Sequence, residues 1–289
     1  MAPRTKYCTP RIKSFVVPVS MDVGYFPVSF FELLGLMPTM KGITSEKVAS
    51  PCLLKLYNEG ELQMLNNSEP QQFSQYAAHF VGDNNNKEPQ ACNYITFVPM
   101  DEQAPLQTAE RIKYLGIFAN EEVRANEIYD AVKSNYTCLV NSAASKDLKP
   151  IVAWMEFNDG VLSFTEEAYK LNYIEDADVV IDGTLTPDPF GYNATLFLQN
   201  INIEDKSCFG FLSYQSVWRH DKRLSTDLAL VSQPQLVLAD LIEVLFPSGN
   251  YTTTYFRNLL KEEPPISLGP EDCTRDTFTP MEPTIITCA

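Results

Sequence analysis

Only two histidines, His79 and His220, occur in the 289 residues, and no pair of cysteines forms a CxxC. That scarcity argues against a zinc site, which draws its ligands from clustered Cys and His. A metal held by carboxylate and Tyr oxygens remains open, because such ligands are plentiful, but no spacing singles them out. Glycine is scarce too, at 12 residues, fewer than a nucleotide-binding α/β enzyme commonly spends on phosphate loops. The chain has no GxSxG, no HExxH, no Gly-rich phosphate loop and no kinase-type signature, so nothing in it demands an enzyme. It has no long apolar run, and hence no spanning helix is expected. Basic residues are in deficit, 22 Lys and Arg against 37 Asp and Glu, for a net charge of −15. That balance argues against nucleic acid or an anionic membrane as the main partner, and it also serves solubility. The first residues, MAPRTKYCTPRIK, are basic but lack an apolar h-region, so no signal peptide is recognisable.

What is present describes a globular chain, 45% apolar and 20% charged, long enough for two lobes or one large α/β domain. Seven cysteines lie at 8, 52, 92, 138, 208, 273 and 288, a spacing that suits buried thiols or long-range disulfides. Four Asn-x-Ser/Thr sequons begin at Asn66, Asn135, Asn193 and Asn250, where composition alone predicts roughly two. Together these favour a secreted or cell-surface glycoprotein whose start is truncated; the alternative is a cytoplasmic protein.

Along the chain, KSFVVPVSM (13–21) reads as a buried strand and PVSFFELLGL (27–36) as a short helix closed near Gly35. MKGITS (40–45) reads as a second strand before VASPCLLKLYNEGEL, and this alternation predicts βα units and a parallel sheet. Runs 66–72 and 82–90 are polar loops, and NYITFVPM (93–100) is a strand. Residues 105–139 read as one long helix of roughly 50 Å. Pro105 suits its first position, and Ile112, Leu115, Phe118, Val123, Ile128, Tyr129, Val132 and Tyr136 form an apolar stripe. Gly116 marks either a kink or a close contact. NSAASKDLKP (141–150) looks like a linker, after which IVAWMEF (151–157), ADVVIDGT (177–184) and SVWRHDKR (216–223) contain strands. PQLVLADLIEVLFP (234–247) is an amphipathic closing helix. The expected organisation is an N-terminal α/β lobe over 13–104, a linking helix over 105–139, a C-terminal α/β lobe over 148–260 and an irregular Pro/Thr-rich tail over 261–289.

Two segments carry a family likeness. AERIKYLGIFANEEVRANEIYDAV (109–132) resembles the linker helix of periplasmic substrate-binding proteins of the helical-backbone, TroA-like class, which serve ferric-siderophore, haem and vitamin B12 import. SVWRHDKRLSTDLALVSQPQLVLADLIEVLFPSGNYTTTYFRNL (216–259) resembles their carboxy-terminal stretch, and KPIVAWMEF and AYKLNYIEDADVVID sit where their second lobe begins. With a weaker match over 14–60, the likeness covers most of 13–260. It implies an α/β fold of two lobes with mainly parallel sheets, joined by one long rigid backbone helix, with ligand held in the cleft between them. The chain departs from bacterial members: it lacks their amino-terminal hairpin and lipobox cysteine, has a short connection from Arg223 to Val231, and carries the cysteine-bearing tail and sequons. The pattern is that of a eukaryotic-type relative, which puts docking to an import permease in doubt.

Ligand contacts in such a protein belong on loops at the carboxyl ends of strands. That rule selects Ser20, Met21, Asp22, Tyr25 and Phe26 after the first strand, and Thr44 and Ser45 after the second. In the second lobe it selects Trp154, Glu156 and Phe157, then Tyr214, Trp218, Arg219 and His220. Aromatic faces suit a macrocycle or catecholate, and Arg can pair with an anionic rim. Each has a plainer role open to it: Trp154 in the core, Asp22 as a helix cap, Arg223 in a structural ion pair, His220 as an exposed strand end. Cys52, ahead of a helix start, is a buried or disulfide-bonded cysteine or else a reactive thiol. The expectation is a non-enzymatic monomer that binds a small molecule (a metal chelate, a tetrapyrrole such as cobalamin or haem, or a siderophore) and requires no cofactor. A membrane transporter or surface receptor is the expected partner; the alternative is an interaction protein that kept the scaffold without the ligand.

Overall fold

The computed structural model describes residues 19–21, 28–45, 50–81, 93–97, 104–158, 161–164, 177–202, 209–223 and 232–288. These fall into two compact units. The first takes the described residues up to Tyr136 with those of Ser225–Gln235 and Leu268–Ile285; the second takes those of Thr137–Leu224, Leu236–Ser267 and the last few residues.

The first unit is built on β1 (Val19–Met21), β2 (Met40–Ile43), β3 (Gln63–Met64), β4 (Ala78–Val81) and β5 (Tyr94–Thr96), in the spatial order β3-β2-β1-β4-β5. Every neighbouring pair is parallel, as the strand–helix alternation predicts. α1 (Ser29–Leu34) ends at Gly35, whose left-handed φ of 72° returns its N–H to the carbonyls of Phe31 and Glu32. α2 (Pro51–Asn58) starts from Ser50, whose Oγ accepts from the Leu53 N–H at 3.0 Å. Phe30 and Phe31 are fully buried and meet Phe97 and Phe80 edge to face at 5.5 and 5.2 Å. Side chains of this size each contribute about 1.5–3 kcal/mol by burial.

The stretch expected as one helix from Pro105 is three: α3 (Pro105–Glu110), α4 (Ile112–Ala119) and α5 (Glu122–Ala144). The breaks fall at Arg111, between α3 and α4, and at Asn120, which closes α4 in the left-handed conformation with φ 58°. The continuous long helix therefore begins at Glu122 and runs into the segment read as a linker. Gly116 is a close contact rather than the kink: a Cβ there would lie 2.7 Å from the Ala125 Cβ.

The tail has little regular structure, yet it is tied down. Cys273 is disulfide-bonded to Cys52 on α2, so Cys52 is not a reactive thiol. Arg275 pairs with Glu32 at 2.6 Å, the Met281 N–H donates to the Glu32 carbonyl, and Arg124 reaches the carbonyls of Leu33 and Met281.

In the second unit β6 (Val152–Asn158) and β7 (Val161–Phe164) form an antiparallel pair. β8 (Val179–Asp182) and β9 (Val217–Arg219) run parallel to β6, and β10 (Arg257–Asn258) closes the sheet antiparallel, giving the order β10-β9-β8-β6-β7. The last turns of α5, α6 (Ala194–Asn200), α7 (Gly210–Ser213) and all but the first two residues of α8 (Pro234–Leu245) complete its helices among the described residues. Met155, Val180, Phe197, Phe211, Val217 and Leu259 form its core. Cys138, on α5, is bonded to Cys288. Cys8, Cys92 and Cys208 lie outside the described residues.

Candidate functional site

In an open parallel sheet, the carboxyl ends of the strands expose loop backbone that can be shaped around a ligand. The first unit's strand order reverses at β1, between β2 and β4, which makes the β1 and β4 ends its switch point. Ser20 lies on β1 in register with Gly42 and His79. Asp22, Tyr25 and Phe26, expected after it, lie outside the described residues, and α1 is instead entered through Val28 with no side-chain cap. Thr44 and Ser45 follow β2 directly and are half-buried at the same edge. His79 is buried between Phe73 and Tyr94, its ring 4.2 and 5.0 Å from theirs. An open groove of about 510 Å³ lined by Lys41, Glu61, Gln63 and Tyr76 sits at the opposite, amino end of β2–β4 and contains none of the expected residues.

The second unit's carboxyl edge is better defined. Register places Trp154, Ile181 and Trp218 in one row across β6, β8 and β9, with Met155, Asp182 and Arg219 in the next. Trp154 is 40% exposed, so the core role open to it in the sequence does not hold. Two residues on, half-buried Glu156 shares its face. Both approach Gly183: a Cβ there would lie 3.2 Å from Glu156 Oε1 and 3.5 Å from Trp154 Nε1. Thr184 follows, its Oγ1 accepting from the Phe157 N–H at 2.9 Å and its N–H donating to Asp182. The result is an edge with an indole face, an indole N–H and a carboxylate above a residue with no side chain.

Arg219 does not serve that edge as expected. It is buried, with Nη1 donating to Asp182 at 2.8 Å, Nε to Asp221 at 2.9 Å and Nη2 to the Thr184 carbonyl at 2.8 Å. Its guanidinium also lies 4.1 Å over the Tyr192 ring. Asp221 in turn receives Arg257, which reaches the carbonyls of Pro189 and Tyr192 as well. Two cations and two carboxylates thus neutralise one another inside the protein, and Arg219 acts as a structural clamp. Burial alone would raise the Asp221 carboxyl; the hydrogen bond from Arg257 and the charge of Arg219 outweigh it and hold it below the ordinary carboxylate range. Burial, with Asp182 nearby, pushes the Tyr192 phenol up to about 12.

The other expected contacts scatter. Trp218 is 7% exposed and donates Nε1–H to Ser216. Tyr214 is 72% exposed but precedes β9, at the amino end of the sheet, away from the carboxyl edge. His220 follows β9, exposed, with its ring 4.9 Å from Phe256. Arg223 makes no ion pair among the described residues; its guanidinium lies 5.9 Å from the Tyr255 ring. Of the expected set, the structure brings together Trp154 and Glu156. Gly183 and Thr184 also belong to this edge, and the Asp-Gly-Thr closing a β-run is the sequence signal for them, marking a strand's carboxyl end. No group of three His, Cys, Asp or Glu side chains among the described residues is placed to hold a metal.

No family model and no curated protein sequence matches this chain. Solved structures do. A periplasmic binding protein from Veillonella parvula superposes with a TM-score of 0.55 at 13% identity, covering 81% of this chain and 92% of its own. The fold is that of the TroA-like periplasmic solute-binding proteins. A TroA-like periplasmic binding protein, FepB, from the same organism gives 0.52 at 12% identity over 86% of this chain and 96% of its own. A petrobactin-binding protein, YclQ, from Bacillus subtilis gives 0.52 at 10% identity, over 78% and 90%. At such identities the TroA-like fold is what the likeness shows. Among the described residues no helix is long and apolar enough to cross a membrane.

Proposed function

We propose that the chain is a non-catalytic solute-binding protein that takes a compact ligand, such as a metal chelate or tetrapyrrole, at the carboxyl edges of its parallel strands. The observation that carries this is the exposed Trp154 beside Glu156 over Gly183. An exposed aromatic face with a carboxylate beside it suits a planar or macrocyclic solute. The TroA-like fold supports the same reading, and a membrane transporter or surface receptor is the partner it implies. Two long-range disulfides support a secreted or surface-exposed placement, since thiols stay reduced in the cytosol.

Fluorescence tests it simply, because Trp154 and Trp218 are the only tryptophans. Titration with ferric trihydroxamate, ferric tricatecholate, haem and cobalamin should give saturable quenching by one of them, lost in Trp154→Phe. A flat response to all four would favour a second reading, an interaction protein that retained the scaffold. The internal commitment of Arg219 and Arg257 favours that second reading, because neither guanidinium is left to receive an anionic chelate.

A further inference from the structure

The four sequons are alike in sequence and unlike in the fold. Asn135 lies on α5 and is 6% exposed. With Ile128, Val132 and Leu139, all buried, it completes one helical stripe. A sugar on its amide would have to enter buried space. The other three are exposed, as are the hydroxyl residues Ser68, Thr195 and Thr252 that complete their sequons.

At two of the exposed sequons Nδ2 donates one hydrogen bond, from Asn66 to the Glu69 carboxylate at 3.3 Å and from Asn193 to the Gly191 carbonyl at 3.4 Å, and its second hydrogen is the one a transfer would consume. At Asn66 the side-chain oxygen accepts from the Ser68 N–H at 3.0 Å, an Asx turn that holds the sequon bent over its own carboxamide. Asn193 caps α6, its Oδ1 accepting from the Thr195 and Leu196 N–H groups at 3.0 and 3.2 Å. Glycosylation consumes one Nδ2 hydrogen and spares that oxygen, so cap and sugar are compatible. Asn250 follows a turn at Gly249, fixed by Glu243, whose carboxylate accepts from the Ser248 and Gly249 N–H groups.

We infer that Asn66, Asn193 and Asn250 carry N-linked oligosaccharides and that Asn135 does not. In the transfer, Nδ2 bonds to the sugar C1 of an oligosaccharide carried on a lipid diphosphate. The C1–oxygen bond to the diphosphate breaks, the diphosphate leaves with that electron pair, and one amide proton passes to a base of the transferase. The site at Asn66 has a consequence for the first unit. Register pairs Ile43 with Met64, so Asn66 stands just past the end of β3, beside Thr44 and Ser45. A glycan there occupies the flank of the carboxyl edge and covers the open side of the short edge strand β3. The inference rests on secretion and not on solute binding.

The test expresses the full chain behind a cleavable secretion signal in cultured eukaryotic cells and analyses the whole lumenal pool. Enzymatic deglycosylation in heavy-oxygen water converts each occupied Asn to labelled Asp, read peptide by peptide by mass spectrometry. Labelled Asp at 66, 193 and 250 with Asn135 unchanged is expected. The glycosidase-sensitive gel shift should vanish in the triple variant N66Q/N193Q/N250Q and be unaltered in N135Q. Label at 135, or its absence at any of the three exposed positions, would overturn the assignment. Bacterially made protein, which has no such glycans, separates this outcome from the ligand titration.

Discussion

The first unit buries Phe30, Phe31, Leu33 and Leu34 behind a wholly parallel sheet, whereas the second buries two arginines and Asp182, with the half-buried Asp221 between the arginines, beside β8 and β9. Apolar packing tolerates small shifts, because dispersion and hydrophobic contacts are non-directional. A buried ion cluster does not: it is stable only while every partner stays in place. The two units should therefore fail differently. Apolar losses in the first should be graded, and charge losses in the second abrupt.

Asp182→Ala offers the sharpest contrast. It strips a 2.8 Å partner from a guanidinium that is nearly inaccessible to solvent. It should cost the second unit about 3–5 kcal/mol, the usual penalty for leaving a buried charge unpaired. Hydrogen exchange should show lost protection in peptides covering β8 and β9, with α1 and α2 unaffected. Next comes Cys52→Ser with Cys273→Ser, which frees a crosslink spanning 221 residues. A loss of about 2–4 kcal/mol is expected, with α2 and the tail losing protection first. Gly116→Val should be milder, about 1–3 kcal/mol by urea unfolding, because it overfills the contact with Ala125.

Acid sensitivity should be smaller still and confined to the second unit. The folded Asp221 carboxyl lies below its ordinary value. Its contribution is thus fully present above the unfolded pKa of about 3.9 and is lost as pH falls through the depressed folded value. Asp221→Asn should flatten that arm of an acid unfolding curve followed by Trp218 emission.

Local chemistry made the first unit legible from sequence. Ser50-Pro51 announced a helix start, Gly35 a helix stop, and the β-runs alternated with helical spacing. The helix break at Asn120 is hard to read in the sequence because Asn is a weaker left-handed signal than glycine, and Gly116 lies close by. Arg219 was visible as a cation among aromatics, but its decisive partner Asp182 lies 37 residues upstream, beyond any local pattern. Tyr214 precedes the strand legible in SVWRHDKR (216–223), so its selection departs from the carboxyl-end rule. The anchors of the tail, Glu32 and Cys52, lie more than 200 residues away in sequence, beyond any local pattern.

The central claim is that the exposed face of Trp154, with Glu156 beside it over Gly183, receives a solute. Gly183 is not in the left-handed region, and a Cβ there would meet Glu156 Cγ at 3.1 Å and Trp154 Nε1 at 3.5 Å, so Gly183→Val displaces both side chains from the edge without demanding a strained backbone. Native mass spectrometry of both proteins with the four-compound panel is the direct measurement. The account predicts a one-to-one adduct with one compound that the valine variant loses while keeping its fold. An adduct that persists in the variant, or none with any compound, would contradict it.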